Sequence, residues 1–178
     1  MNRVARQYAV VSLTALGLAL LVRVFNHHLA PLHLSLNVGG LLITLAALRL
    51  HPKAALASAF TIGLGLDAVS PVPFGQNALL LLTACCLVIG VRHRIPREEL
   101  PVGIAVAVVI NLFLLIARTL AFADAWPDPA AGWLRVFSDL VASQVFVVLI
   151  APWFFSLQRH SLVWLGADSV QTTANRYG

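Results

Sequence analysis

Six apolar runs, each ended by a few polar or helix-breaking residues, dominate the pattern along the chain. They cover residues 8–25, 32–50, 54–70, 74–91, 101–123 and 134–157. Each is close to the roughly 20 residues that an α-helix needs to cross a bilayer. The breaks between them are short, which favours antiparallel neighbours. The pattern predicts an all-α protein with six transmembrane helices, forming one integral membrane domain over residues 1–178 with a cytoplasmic tail at 158–178.

Composition supports a membrane protein. Of the 178 residues, 60% are hydrophobic and 11% are charged, and the mean hydropathy is +0.88. A soluble domain is usually about half apolar and a quarter charged, and could not hide this much apolar surface in one core. These values exclude a conventional soluble enzyme, a disulfide-stapled secreted protein and a DNA-binding module. We therefore expect membrane lipid, and no nucleic acid, around the chain.

The basic residues predict the orientation. With six spans, nine of the twelve Lys and Arg residues fall on one side of the membrane: Arg3, Arg6, Arg49, Lys53, Arg92, Arg94, Arg97, Arg159 and Arg176. The other side receives Arg23 and Arg135, together with Asp124 and Asp128, while Arg118 lies within a span. Because cytoplasmic loops are enriched in Lys and Arg, both termini are predicted to be cytoplasmic.

Several polar residues fall at one depth of the predicted membrane domain. Asp67, Arg118 and Asp139 lie in the third, fifth and sixth runs, within about 10 Å of the outer boundary at 1.5 Å per helical residue. Gln76 and Asn77, at the start of the fourth run, join this layer. An ionised side chain in a bilayer costs several kcal/mol unless it is paired or near the interface.

Three interpretations of this polar layer are open. Arg118 could pair with one or both aspartates and lock the bundle. The layer could instead line a small-ligand pocket that opens to the outside, or its residues could simply be solvated. Asn111 lies seven positions before Arg118 on the same helix face and is the main polar residue at mid-membrane depth.

Small residues recur on the third predicted helix. Ala55, Ala59 and Gly63 follow one another every four residues, and the next step is Asp67. Because small residues at this spacing let helices approach closely, we expect Asp67 to face protein rather than lipid. The first run contains a similar pair, Ala15 and Ala19.

The remaining candidate groups predict no catalysis. Cys85 and Cys86 are adjacent in an apolar run and are interpreted as small apolar side chains. His27, His28 and His33 fall in a predicted outer loop without a carboxylate or cysteine and are interpreted as interfacial residues. No P-loop, dinucleotide fingerprint, nucleophile elbow or zinc-protease motif is present. We therefore expect no enzymatic activity, no metal and no cofactor.

Two segments resemble the MreD family of rod shape-determining membrane proteins. Residues 59–82, AFTIGLGLDAVSPVPFGQNALLLL, are similar to the family's signature, a Gly-x-x-x-Asp-x-x-Ser stretch followed by a turn with a glycine. The matching residues are Gly63, Asp67, Ser70, Gly75 and Ala78. The family's ending, a Pro-aromatic pair followed by basic residues, is matched by Pro152, Trp153, Phe154 and Arg159.

The resemblance implies a non-enzymatic scaffold in the bacterial inner membrane. Such proteins belong to the elongation machinery that guides side-wall peptidoglycan synthesis and rod shape. They associate with MreC and are linked to MreB, to RodA and to its penicillin-binding transpeptidase partner. Their fold is similar to the substrate-binding subunits of energy-coupling-factor transporters. That similarity suggests the alternative of a vitamin-capturing subunit, with its pocket where Asp67, Arg118 and Asp139 gather.

Overall fold

Helices form the structure, a computed structural model that describes residues 3–32, 34–70, 73–94, 99–122 and 129–164. The six α-helices are α1 (Arg3–Leu29), α2 (Gly39–Arg49), α3 (Pro52–Val69), α4 (Gln76–Val91), α5 (Leu100–Phe122) and α6 (Pro129–Trp164). Short 3-10 turns follow α1 at Ala30–Leu32 and α4 at Arg92–Arg94. The predicted all-α class is confirmed.

Four of these helices, α1, α4, α5 and α6, are long and apolar enough to cross a membrane. Many of their large apolar side chains point outward, including Leu13, Leu79, Val109 and Leu149. Water would penalise so much exposed apolar surface, whereas lipid does not. The helices therefore indicate a membrane-embedded protein.

The short helix α2 is the centre of the bundle. It contacts all five other α-helices and packs most extensively against α5. Ten of its eleven residues are buried, and Arg49 at its end is the exception. Its sequence, GGLLITLAALR, is apolar on every face apart from Thr44, which fits a helix surrounded by protein.

The second apolar run is only partly helical, which corrects the prediction of one helix over residues 32–50. Residues 34–38 have no helical structure, and α2 begins at Gly39. Eleven helical residues span about 16 Å and five extended residues about another 16 Å. The run is thus half extended and half helical, and α2 alone is shorter than the helices that could cross a membrane. Residues 34–38 are called the extended segment below.

Other predicted boundaries also shift. The helix α1 runs from Arg3 to Leu29, so His27 and His28 lie in its last turn and not in a loop. The helix α6 continues to Trp164, so the predicted tail from residue 158 begins as helix. His33, Asp124, Asp128 and residues 165–178 lie outside the described residues.

Successive helices alternate in direction, as the short connections predict. One large cavity is lined by the last turns of α1, α3 and α5 and by the first turns of α2, α4 and α6. This end of the bundle is called the cavity end. It contains Arg23, Arg118 and Arg135. The other end contains most of the described basic side chains: Arg6, Arg49, Lys53, Arg92, Arg94 and Arg159.

The small-residue stripe on α3 faces protein, as predicted. Ala55 and Ala59 are completely buried and Asp67 is 4% exposed. A Cβ atom on Gly63 would lie 2.3 Å from the Cα atom of Ala78, so the backbones of α3 and α4 meet there. Ala15 and Ala19 on α1 are buried as well.

Candidate functional site

Asp67 holds the beginning of α4. Its carboxylate oxygens accept hydrogen bonds from three backbone amides, those of Gly75 (3.0 Å), Asn77 (2.9 Å) and Ala78 (3.2 Å). The first amides of a helix lack partners inside the helix, and a carboxylate satisfies both their hydrogen-bonding capacity and their partial positive charge. Asp67 therefore acts as a cap that joins the end of α3 to the start of α4.

The turn between these helices depends on Gly75. Its φ of +94° lies in the left-handed region, which glycine adopts without the steric cost of a side chain. Its amide donates to Asp67. Ser70 ends α3 in extended backbone, and its amide bonds to the carbonyl of Asp67 at 3.3 Å. Together with the Gly63–Ala78 contact, these features form one unit, called the α3–α4 hairpin.

Asp139 and Ser143, one turn apart on α6, hold the extended segment. The Ser35 amide and hydroxyl donate to the two Asp139 oxygens at 2.7 and 2.6 Å. The Ser143 hydroxyl accepts from the Asn37 amide at 2.9 Å and donates to the Ser35 carbonyl at 3.4 Å. Side chains of α6 thus replace the hydrogen bonds that a helix or a sheet would provide.

Two asparagines complete this arrangement. Asn26 of α1 accepts from the Leu36 amide at 2.7 Å and donates to the Leu36 carbonyl at 2.9 Å. Asn111 of α5 is completely buried, and its side-chain oxygen accepts from the Gly40 amide at 3.3 Å. Non-helical backbone is tolerated at membrane depth only where protein or a cavity satisfies it. Polar side chains of α1 and α6 therefore satisfy the backbone of the extended segment, and Asn111 of α5 satisfies an amide in the first turn of α2.

The cavity beside the extended segment has a volume of about 870 Å³. Arg23, Arg118 and Arg135 reach it from α1, α5 and α6, and all three side chains are exposed. Asp139 lines it too, with both oxygens bonded to Ser35. The remaining wall combines the polar side chains of Asn26, His27, Ser70, Asn77 and Thr119 with a larger set of apolar ones, among them Ala19, Val22, Leu66, Leu80, Leu81, Leu114, Leu115 and Val136.

The structure brings together three of the five residues predicted to form a polar layer. Arg118, Asp139 and Asn77 line the cavity. Asp67 is buried behind it, and Gln76 lines a separate, shallower groove beside Phe74 and Leu79.

The interpretation of the layer as an ion-pair cluster was wrong. Asp67 accepts hydrogen bonds from amides at the start of α4. Asp139 accepts hydrogen bonds from Ser35. Among the described residues, Arg118 forms no ion pair with either of them, and its side chain is exposed at the cavity. Each aspartate accepts hydrogen bonds from backbone amides that have no partner within a helix, and these amides are nearer to the carboxylate than the Arg118 guanidinium is.

Four residues that organise the cavity end were not predicted from sequence: Asn26, Ser35, Asn37 and Ser143. A signal for the extended segment was nevertheless present. Ser35 and Asn37 alternate with Leu34, Leu36 and Val38, which is the period of extended backbone and not of a helix. The pair Gly39–Gly40 follows directly, at the start of α2.

At the opposite end of the bundle, the side chain of Arg92, which follows α4, caps the end of α2. Its guanidinium donates to the carbonyls of Leu50 at 2.9 Å and Ala47 at 3.4 Å. A cation near the last carbonyls of a helix is favourable. A second cavity of about 590 Å³ lies at this end, between the end of α2, the start of α5 and the end of α6.

The remaining predicted residues lie apart from the cavity. Cys85 is buried and Cys86 exposed, and both are free thiols. Pro152 lies inside α6, where it removes one helical hydrogen bond, and Trp153 beside it is exposed. Phe154 is buried in the core. Within the described ranges no cluster of metal-ligating side chains is found.

The fold and the cavity define a helical membrane protein with a recess at one end that is lined by arginines, other polar side chains and apolar side chains. No protein-family model matches the chain, and comparisons with curated proteins and with solved structures give no significant match.

Proposed function

We propose that this protein is a non-enzymatic scaffold of the bacterial cell-elongation complex, placed in the inner membrane with both termini in the cytoplasm. Its proposed partner is MreC, with links to MreB, RodA and the associated transpeptidase. The observation that supports this proposal is the α3–α4 hairpin. It gathers the residues that resemble the MreD signature, namely Gly63, Asp67, Ser70, Gly75 and Ala78.

Each of these residues has a physical task in the hairpin. Gly63 admits the backbone of α4 at Ala78, Gly75 adopts a positive φ, and Asp67 accepts the amides of the turn. Because both Asp67 oxygens are occupied and buried, this carboxylate is suited to fixing a shape and not to transferring protons. A rigid hairpin in the membrane is what a scaffold would present to its partners.

The test is depletion of the protein in its native bacterium combined with purification of a tagged copy. Depletion should give rounded or widened cells, and the tagged chain should co-purify with MreC in mild detergent. Asn77→Ala is a matched control, because the hairpin uses only the backbone amide of Asn77. Asp67→Ala should lose MreC, whereas Asn77→Ala should retain it. Normal rod shape under complete depletion would contradict the proposal.

A second candidate function is the substrate-binding subunit of a vitamin transporter of the energy-coupling-factor type. The observation that favours it is the 870 Å³ cavity, whose size falls in the range of small-molecule pockets, about 300–1,000 Å³. Co-purification of paired ATPases and a coupling subunit, in place of MreC, would select this function.

A further inference from the structure

The charge distribution of the cavity is one-sided. Its described lining residues include three arginines and one aspartate and no lysine or glutamate. The formal charge of these four side chains is +2. The carboxylate of Asp139 is directed to Ser35 by two hydrogen bonds of 2.7 and 2.6 Å. The arginines therefore face the recess without a described carboxylate to bind them.

The three arginines come from separate helices. Arg23 lies on α1, Arg118 on α5 and Arg135 on α6, so cationic groups surround the recess instead of following one exposed helix face. A guanidinium group presents a planar fork of donors that fits phosphate oxygens in pairs. Several such forks around one recess are suited to a group with several anionic oxygens.

Much of the rest of the wall is apolar. Val22, Leu66, Leu81, Leu114 and Val136 line the same cavity. A ligand that fills the recess would thus place an anionic group among the arginines and hydrocarbon against these side chains. The amides of Gly39 and Gly40 at the start of α2 are already bonded to Asn37 and Asn111, so the anionic group would be held by side chains, with the arginines as the charged donors.

We propose that the cavity binds a ligand bearing a phosphate group, held by Arg23, Arg118 and Arg135. The phosphate could belong to a lipid headgroup or to a soluble phosphate ester, since both present the same oxygens. This site is separate from the scaffolding proposal and does not depend on it. It assigns to the cavity end a binding activity that the hairpin alone would not provide.

The test measures binding to the purified full chain in a phosphate-free, uncharged detergent. The probes are dioctanoyl phosphatidylglycerol, dioctanoylglycerol as the same lipid without its phosphoglycerol headgroup, and glycerol 3-phosphate as a soluble ester. The phosphate lipid should bind at least tenfold more tightly than dioctanoylglycerol. Arg118→Ala and Arg135→Ala should each weaken its binding about tenfold or more, as expected for one lost charge-assisted hydrogen bond.

Arg6→Ala is the matched control, because Arg6 is an exposed arginine at the other end of α1. It should leave the Kd unchanged. Thermal unfolding without ligand should be the same in all three variants and the parent, which separates lost binding from lost folding. Any variant that unfolds early is replaced by the corresponding Arg→Gln change.

The probes also distinguish the two sources of phosphate. Binding of the phosphate lipid alone supports a lipid headgroup, and equal binding of glycerol 3-phosphate supports a soluble ester. Equal affinity for dioctanoylglycerol and phosphatidylglycerol would overturn the proposal. So would an unchanged Kd in both Arg118→Ala and Arg135→Ala. A failure of MreC to co-purify in the scaffold test would not change the result of this binding measurement.

Discussion

Among the described residues, the cavity end contains two stretches of non-helical backbone, and they are stabilised in different ways. In the α3–α4 hairpin, one carboxylate, Asp67, accepts three amides that lie 8 to 11 positions further along the chain. In the extended segment, Asp139 and Ser143 supply acceptors from 104 and 106 positions away, and Asn26 supplies one from 10 positions away. The first is a local solution, whereas the second depends mainly on tertiary contacts with α6.

The two stretches also differ in their surroundings. Asp67 is 4% exposed and lies behind the cavity, whereas Asp139 is half-buried and lines it. A buried donor left without an acceptor costs about 1–3 kcal/mol, and water can reduce that cost where it has access. The hairpin should therefore depend more strongly on its aspartate than the extended segment does.

The largest effect is expected for Asp67→Ala. It removes the acceptors of three amides at a buried position, so we expect a loss of about 4 kcal/mol in the free energy of unfolding. The measurement is reversible unfolding in detergent micelles. Asn77→Ala, which keeps the amide that bonds to Asp67, should change stability by less than about 0.5 kcal/mol. Equal losses in the two variants would contradict the capping role.

Asparagine substitutions separate the two aspartates. In Asp67→Asn, the new amide group would face N–H donors that cannot reverse, and we expect a loss of about 3 kcal/mol. In Asp139→Asn, the Ser35 hydroxyl can turn and accept from the new amide, so the loss should stay below about 1 kcal/mol. Similar losses of stability in Asp67→Asn and Asp139→Asn would contradict the stronger dependence of the hairpin on its aspartate.

Close backbone contact is common to both regions and gives a smaller effect. A Cβ at Gly63 would lie 2.3 Å from the Ala78 Cα, and one at Gly40 would lie 2.3 Å from the Ala107 carbonyl oxygen. Gly63→Ala and Gly40→Ala should each cost about 2 kcal/mol, because helix backbones must separate. Gly90→Ala is the control, since it has nothing within 4 Å. Stability of Gly90→Ala should be unchanged or raised.

The smallest effect is expected for Arg118→Ala. Its exposed side chain forms no described ion pair, so stability should change by less than about 0.5 kcal/mol. The effects of Asp67→Ala and Arg118→Ala should then add in the double variant. A coupling energy above about 1 kcal/mol in this double-mutant cycle would instead support an ion pair between Asp67 and Arg118.

The sequence was sufficient for features that follow from residue type and spacing alone. Runs of apolar residues predict the helices, and the four-residue repeat that ends at Asp67 predicts a side chain facing protein. The turn glycine at Gly75 lies within the same short stretch. These features follow from helical periodicity and local backbone sterics, which depend on residue type and spacing alone.

The tertiary structure alone decided which polar groups meet. From sequence, Asp67, Arg118 and Asp139 are three charges at one depth, and opposite charges favour a pair. In the structure, the amides of Ser35 and of the α4 start have no partner within a helix. They lie nearer to the carboxylates than Arg118 does and bond to them instead. Buried backbone donors must be satisfied. Asp139 reaches Ser35 because α6 packs against a segment 104 positions away, whereas Asp67 reaches the α4 start through the turn of the hairpin. That packing also leaves three arginines around one cavity.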